Sequence, residues 1–305
     1  MLLYVGFNIF HLGDYLPSDQ DELKYHVDAL ERFSFAGEPI PFYEKSKRRK
    51  FERELNKIAS NSNETRLLLR HAEIWFPILE PILEAHQIPE DFKYVAVVES
   101  GLNRKALSPR GAAGFWQIIA STGKELGLTV NAEIDERYNA VKSTNAVCKH
   151  FQVSKTYFGS WTNAAAAYNM GMAALIKACK KHRSNSYHDL KLSKESSIYI
   201  YKILAYKEIL EHPKKYGLKV SKKKYATQIN RVAIHTTIPN LQTFAAKHGI
   251  SYQTLKNFNP WIKQNSLTIN KNKTSFELLI PVVVKTMTQR RQISPKPDSA
   301  FASIQ

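Results

Sequence analysis

Only two residues of 305 are cysteine, Cys148 and Cys179. They are too few for a disulfide framework and lack the spacing of a zinc site. Both fall in stretches of helical periodicity and read as buried free thiols, with a bridge between them the other reading. Acidic residues are scarce as well: 27 Asp and Glu stand against 44 Lys and Arg, for a formal net charge of +17. That imbalance favours nucleic acid, anionic lipid or an acidic cell-wall polymer as partner, or serves solubility alone. No basic stretch is interleaved with nucleic-acid-reading motifs, which sets nucleic acid aside. No run of about 18 or more apolar residues occurs, so no spanning helix is predicted. The first residues, MLLYVGFNIF, are apolar, but no Lys or Arg precedes them. They read as a weak or truncated signal sequence, or as an ordinary first segment. No internal repeat is visible.

What is present is mostly helical patterning. The chain is long enough for one large domain, or for a main domain with a smaller companion. Residues 1–65 read as a leader plus an accessory helical segment, with Lys45 to Lys50 strongly basic. That basic run is either a solvated face or a contact for anionic glycan or lipid headgroups. From Asn63 the apolar spacing becomes steadily helical. Pro77 and Pro81 predict a kink or an end to the first helix. Ile88-Pro89-Glu90-Asp91 opens the next, with Pro and acids suited to a first turn. Residues 111–126, 140–157, 162–181 and 193–210 continue the pattern. Successive helices with short connections predict an all-α domain over residues 66–218.

A different texture follows Lys222-Lys223-Lys224. Residues 226–234 alternate like a strand, 239–248 and 251–257 read as short helices, and 276–284 as a second strand. This predicts a small α+β unit over residues 225–282. Residues 283–305 are polar with Pro295 and Pro297 and read as a disordered tail.

The most informative stretch is residues 92–123. An apolar run, Val95-Ala96-Val97-Val98, ends on Glu99 at the C-terminal end of a predicted helix. Burying a carboxylate is costly unless it is paired or protonated, and the dipole at that helix end disfavours its charge. Both effects raise a carboxyl pKa toward the value a general acid needs near neutral pH. Ser108 precedes Pro109 in a turn-rich segment. Gln117 then interrupts the apolar run from Ala112 to Ile119. No second acid lies in residues 99–117, and Glu125, Glu133 and Asp135 fall on helix ends and a loop. The stretch therefore offers a single candidate carboxylate, Glu99.

The order Glu99-Ser100-Gly101-Leu102-Asn103, then Ser108, then Gly111, Gly114 and Gln117, resembles the catalytic segment of lytic transglycosylases with the goose-lysozyme-like fold. A later Ala167-Tyr168-Asn169-Met170-Gly171 matches the family's A-Y-N-x-G, and the membrane-bound type D branch is the nearest in pattern. The C-terminal unit resembles a LysM module, which binds N-acetylglucosamine chains. Leu241, Phe244, Leu255, Asn259-Pro260 and Leu279-Ile280-Pro281 fit its frame, while Ile238-Pro239-Asn240-Leu241 stands where G-D-T-L is customary.

The resemblance implies a mainly α fold: a lysozyme-like catalytic domain with a small α+β LysM-like companion. It implies cleavage of the β-1,4 bond between N-acetylmuramic acid and N-acetylglucosamine in peptidoglycan, leaving 1,6-anhydro ends, with Glu99 as acid and then base. It implies no cofactor or metal, a cell-envelope location in the periplasm or at the outer membrane, and room for peripheral membrane association. It makes Ser108, Gln117, Tyr168, Asn169, Glu195 and Tyr199 substrate-binding residues. Glu195 and Tyr199 rest on a looser match, Glu195-Ser196-Ser197-Ile198-Tyr199-Ile200 against E-T-R-x-Y-V. Competing structural readings stand beside each: a turn Ser, a backbone-bonded Gln, and a Tyr168-Asn169 pair breaking a helix. Trp75, Trp116 and Trp161 read as sugar platforms or, more simply, as core. A goose-type lysozyme using water, or a non-catalytic peptidoglycan-binding protein, are the alternatives.

Overall fold

The computed structural model describes residues 33–218, 225–269 and 275–285. The apolar start of the chain, the first part of the accessory segment, the Lys222–Lys224 run and the polar C-terminal stretch lie outside the described residues. The fold is mainly α, as the helical spacing predicts. A short hairpin, β1 (Ser34–Phe35) and β2 (Glu38–Pro39), precedes two long helices, α1 (Lys45–Ser60) and α2 (Ser62–Ala85). Then come α3 (Lys93–Ser100), α4 (Ala120–Glu125), α5 (Ala140–Phe158), α6 (Trp161–Met170), α7 (Met172–His182) and α8 (Lys194–Glu211).

α3 is the hub. All eight of its residues are buried, so it is covered on every side rather than along one stripe. α2, α6 and α8 each bring an apolar face to the same core, through Trp75, Leu79, Ala164–Ala167, Ile200, Ile203 and Leu204. Residues 33–59 contribute Phe35, Phe51 and Leu55 to it as well. The hairpin is tied in by Glu38. Its carboxylate accepts from Ser160 Oγ (2.7 Å), Trp161 N (2.6 Å) and Thr162 N (2.9 Å), satisfying the open N–H groups at the start of α6.

Three expectations need correction. α2 runs through Pro77 and Pro81 without ending, because Trp75, Ile78, Leu79, Ile82 and Leu83 anchor both turns in the core. The apolar stretch 111–126 is not one helix. Gly111 and Gly114 (both φ 77°) and Gln117 (φ 49°) are left-handed, which folds residues 106–118 into a compact loop and leaves only α4 helical. Any side chain at Gly114 would place its Cβ 2.1 Å from the carbonyl oxygen of Arg137, so glycine alone fits. The span 162–181 is two helices, α6 and α7, parted at Gly171. Tyr168 and Asn169 therefore sit inside the last turn of α6 instead of breaking it.

The C-terminal unit has β3 (Tyr225–Ile234), α9 (Leu241–Lys247), α10 (Tyr252–Phe258) and β4 (Phe276–Lys285). β3 and β4 pair antiparallel from Tyr225↔Lys285 to Ile234↔Phe276. The apolar core under them contains Leu241, Leu255, Trp261, Ile262, Leu267 and Leu278. Asn259, fully buried, donates to the carbonyls of Leu255 (3.0 Å) and Leu279 (2.8 Å) and accepts from Leu279 N (2.9 Å), stitching α10 to β4.

This unit is docked on the helical domain. Residues 133–135 pair with 261–263: Asp135 N donates to Trp261 O (2.8 Å) and Lys263 N to Glu133 O (2.9 Å), flanking an Ile134–Ile262 bridge. Ile134 is buried in the smaller core, while Leu279 and the ring of Phe258 reach the larger one, Phe258 lying 5.5 Å from Trp75.

Candidate active site

α3 ends with Glu99 and Ser100, and Gly101 follows in the left-handed conformation. The Glu99 carboxyl is 1% exposed. Its one described hydrogen bond is from the Tyr199 hydroxyl to Oε1, at 2.6 Å. Burial pushes Glu99 up to about 7, against the opposing pull of the Tyr199 hydroxyl and the Lys202 ammonium; Glu195 adds to the rise. A phenol is a neutral donor and cannot compensate a buried charge as a guanidinium would. The carboxyl thus holds a proton near neutrality, which suits a general acid.

Around it lies a pocket lined by Val98, Glu99, Asn169, Glu195, Ile198, Tyr199 and Lys202. α8 supplies most of one wall. Glu195, Tyr199 and Lys202 recur at four- and three-residue intervals and so share one face of that helix. The fold therefore brings together four of the seven residues singled out above: Glu99, Asn169, Glu195 and Tyr199. Burial drives the Tyr199 and Tyr168 phenols well above their ordinary range, with the nearby Glu99 carboxyl adding to both.

The other three stand behind the acid, in or against the loop. Tyr168 donates to Trp116 O (2.5 Å) and stacks near Phe151. Ser108 is buried, and its Oγ accepts from Ala112 N (3.0 Å), closing a turn. Gln117, also buried, donates from Nε2 to Gly114 O (2.8 Å) and Ala106 O (3.3 Å), while its Oε1 has no partner. A buried unpaired acceptor is costly. Ser100 Oγ bonds Phe115 O (2.9 Å), joining the end of α3 to the same loop. Trp75 and Trp116 are core residues, 2% and 0% exposed, and not sugar platforms.

Two features carry no local sequence signal. Lys202 lies three residues beyond Tyr199, and only helical spacing points to it. Arg137 clamps the loop: its guanidinium donates to Gly111 O (2.7 Å) and Ile118 O (3.0 Å) and forms a two-bond pair with Asp135 (2.9 and 2.7 Å). Glu136 pairs with Lys142 and accepts from Thr129 N. These acids hold structure together instead of facing the pocket. Both cysteines are free and buried. Among the described residues no cluster could hold a metal ion, and no helix is long and apolar enough to cross a membrane.

Comparison with known proteins places this geometry in a class. Residues 78–190 match the Transglycosylase SLT domain family, and residues 230–283 the Soluble lytic transglycosylase C-terminal LysM-like domain. The chain thus carries a lysozyme-like SLT domain followed by a LysM-like module, as the motif order around Glu99 indicates. Among individual proteins, it is 32% identical over 190 residues to the membrane-bound lytic murein transglycosylase D of Escherichia coli (strain K12), covering 61% of this chain and 42% of the relative. It is 29% identical over 145 residues to the membrane-bound lytic murein transglycosylase F of Klebsiella pneumoniae subsp. pneumoniae, covering 42% of this chain and 27% of that protein. The chain spans about two fifths of the length of the first of these relatives.

Proposed function

We propose that this protein is a peptidoglycan lytic transglycosylase of the cell envelope. The observation that carries the reading is Glu99: a buried carboxyl that keeps its proton to about pH 7, bonded by Tyr199 and open to a pocket, within an SLT domain. The substrate is the glycan strand of peptidoglycan, and the bond cut joins N-acetylmuramic acid to N-acetylglucosamine. Glu99 gives its proton to the glycosidic oxygen as the bond from C1 of the muramic sugar breaks. The resulting carboxylate then takes the proton of that sugar's C6 hydroxyl as O6 bonds to C1. The leaving glycan departs as an alcohol, the new end is a 1,6-anhydro ring, and Glu99 is protonated again. An intramolecular nucleophile supplies the proximity that water lacks.

Asn169, Glu195 and Tyr199 line the groove for the sugar. Ser108 and Gln117 act from the loop behind it, with the unpaired Gln117 Oε1 the atom that a rearranged loop would turn to substrate. The helical domain does the chemistry, and the module docked on it serves as a packing brace or as a glycan tether. Net positive charge suits an acidic wall polymer.

A second reading has one observation in its favour. Glu195 shares the pocket with Glu99, and a second carboxylate is what a hydrolase needs to activate water. Digesting purified peptidoglycan and weighing the fragments decides between them. Anhydro ends, one water lighter than reducing ends, are expected. Reducing ends would make the protein a lysozyme, and no cleavage would leave a binding protein.

A further inference from the structure

We propose that Lys202 is a positioning residue that holds the Glu99 carboxylate in its charged, mid-reaction form. The inference rests on the lytic reading above for its role in turnover, and on geometry for its place. Lys202 lines the pocket together with Glu99 and Glu195. It stands one turn beyond Tyr199 on α8, on the face that meets the acid. Among the described residues Lys202 makes no hydrogen bond or ion pair, so its ammonium is not committed to a structural partner as that of Lys207 is to Asp91.

Lys202 is partly buried, and that burial pulls its ammonium below its ordinary value while its place in the pocket keeps it beside the acid. The groups facing it are Glu54 and Lys57 on α1, Glu99 on α3 and Glu195 on its own helix. Those facing Glu99 are Tyr199, Lys202 and Glu195 on α8, and Tyr168 on α6.

The reaction gives this arrangement a purpose. Glu99 starts neutral and becomes a carboxylate when it protonates the leaving oxygen. The pocket that favours the acid form opposes that product. Tyr199 offers one hydrogen bond and no charge. Lys202 supplies the missing positive charge, fixed in place beforehand, so little rearrangement is needed when the charge appears. It must not be too strong: a guanidinium clamped on Glu99 would strip the proton before substrate arrived. An ammonium at a distance, shared with Glu195 and Glu54, lowers the acid only part of the way and leaves it near neutrality.

The test uses Lys202→Met and Lys202→Arg in the full chain, with Glu99→Gln as the blank. Infrared titration of the Glu99 carboxyl band reads its protonation with no substrate present. Lys202→Met is expected to move that titration upward by roughly one pH unit. The alkaline limb of peptidoglycan cleavage should move with it, and kcat should fall more than KM rises. Lys202→Arg, which keeps the positive charge, should hold the titration at or below the parental value and never above it. Glu195→Gln should move it downward. If Lys202→Met changes KM alone and leaves the carboxyl titration where it was, Lys202 is a substrate contact or a structural residue and the proposal fails. Should Lys202→Met not fold, Lys202→Gln gives the same reading, since it removes the charge and keeps a donor. Failure of the lytic reading looks different: the parent would release no anhydro ends, while the carboxyl titration still reports on Lys202.

Discussion

Two buried carboxyls, Glu99 in the pocket and Asp135 at the junction with the module, are treated in opposite ways. Asp135 is met by the Arg137 guanidinium through two bonds, and its own backbone N–H is taken by Trp261 O. Glu99 is met by a phenol, with the nearest ammonium uncommitted. Burial is similar, at 6% and 1% exposure. The difference is the charge of the partner. A fully paired acid locks a loop in place, whereas an acid denied full pairing keeps a proton to give away. Burial alone does not identify a working carboxyl; the state of its partners does.

The largest effect expected from breaking this contrast is at Glu99. Glu99→Gln should reduce cleavage by roughly a thousandfold, within the range for a lost general acid. It should also stabilise the protein above neutrality. Glu99 titrates near 7 when folded and near 4.5 in its ordinary state. Between those values the native chain holds a proton that the unfolded chain has lost, so stability falls as pH rises. The loss is complete above pH 7, on the order of 3 kcal/mol. Glu99→Gln has no such loss. Denaturation midpoints of parent and variant at pH 5 and pH 8 check it; parallel behaviour would show that Glu99 is not strained.

Arg137→Met attacks the other acid. It leaves Asp135 buried without its cation, which costs about 3–5 kcal/mol. The melting temperature should drop sharply and cleavage should weaken as the 106–118 loop loosens. The alkaline limb should stay near pH 7, because the proton on Glu99 is untouched. A limb that moves would mean the two acids are coupled.

Removing residues 222–305 comes next in size. It strips the Asp135–Trp261 and Lys263–Glu133 bonds and uncovers Ile134. If the module is a brace, melting temperature and cleavage of short soluble glycans fall together. If it is a glycan tether, only cleavage of intact wall sacculi suffers, since tethering raises effective concentration without changing chemistry. The packing favours the brace.

Tyr199→Phe should have the smallest effect. It removes a hydrogen bond that favours the Glu99 carboxylate, so the acid should titrate higher and the alkaline limb shift upward. A loss of roughly tenfold in kcat follows from about 1.4 kcal/mol. An unmoved limb would place the Tyr199 bond outside the catalytic step.

The parts of this fold that could be read from sequence are those whose cause is local. Val95 to Glu99 is an apolar run ending in an acid, and α3 is where that run is buried. β3 announces itself by alternation at Ala226–Ile234, and β4 reads as a strand from Phe276 onward. The misreadings arise where a residue's setting overrides its periodicity. Ala112 to Ile119 has helical spacing, but Gly111, Gly114 and Gln117 turn left-handed because Arg137 and the end of α3 need the space. Pro77 and Pro81 look like stops, but tertiary packing carries α2 past both. Lys202 and the Asp135–Arg137 clamp could not be found by motif, since their meaning depends on partners far away in the chain.

The bridge between Ile134 and Ile262 has a consequence for the order of events during synthesis. Residues 131–135 leave the ribosome well before Trp261 and Ile262, and β4 comes later still. Until then the nascent helical domain carries an apolar Ile134 and two open backbone groups at its rim. The helical half therefore emerges with a temporary adhesive edge, and a segment made more than a hundred residues later is the part that seals it.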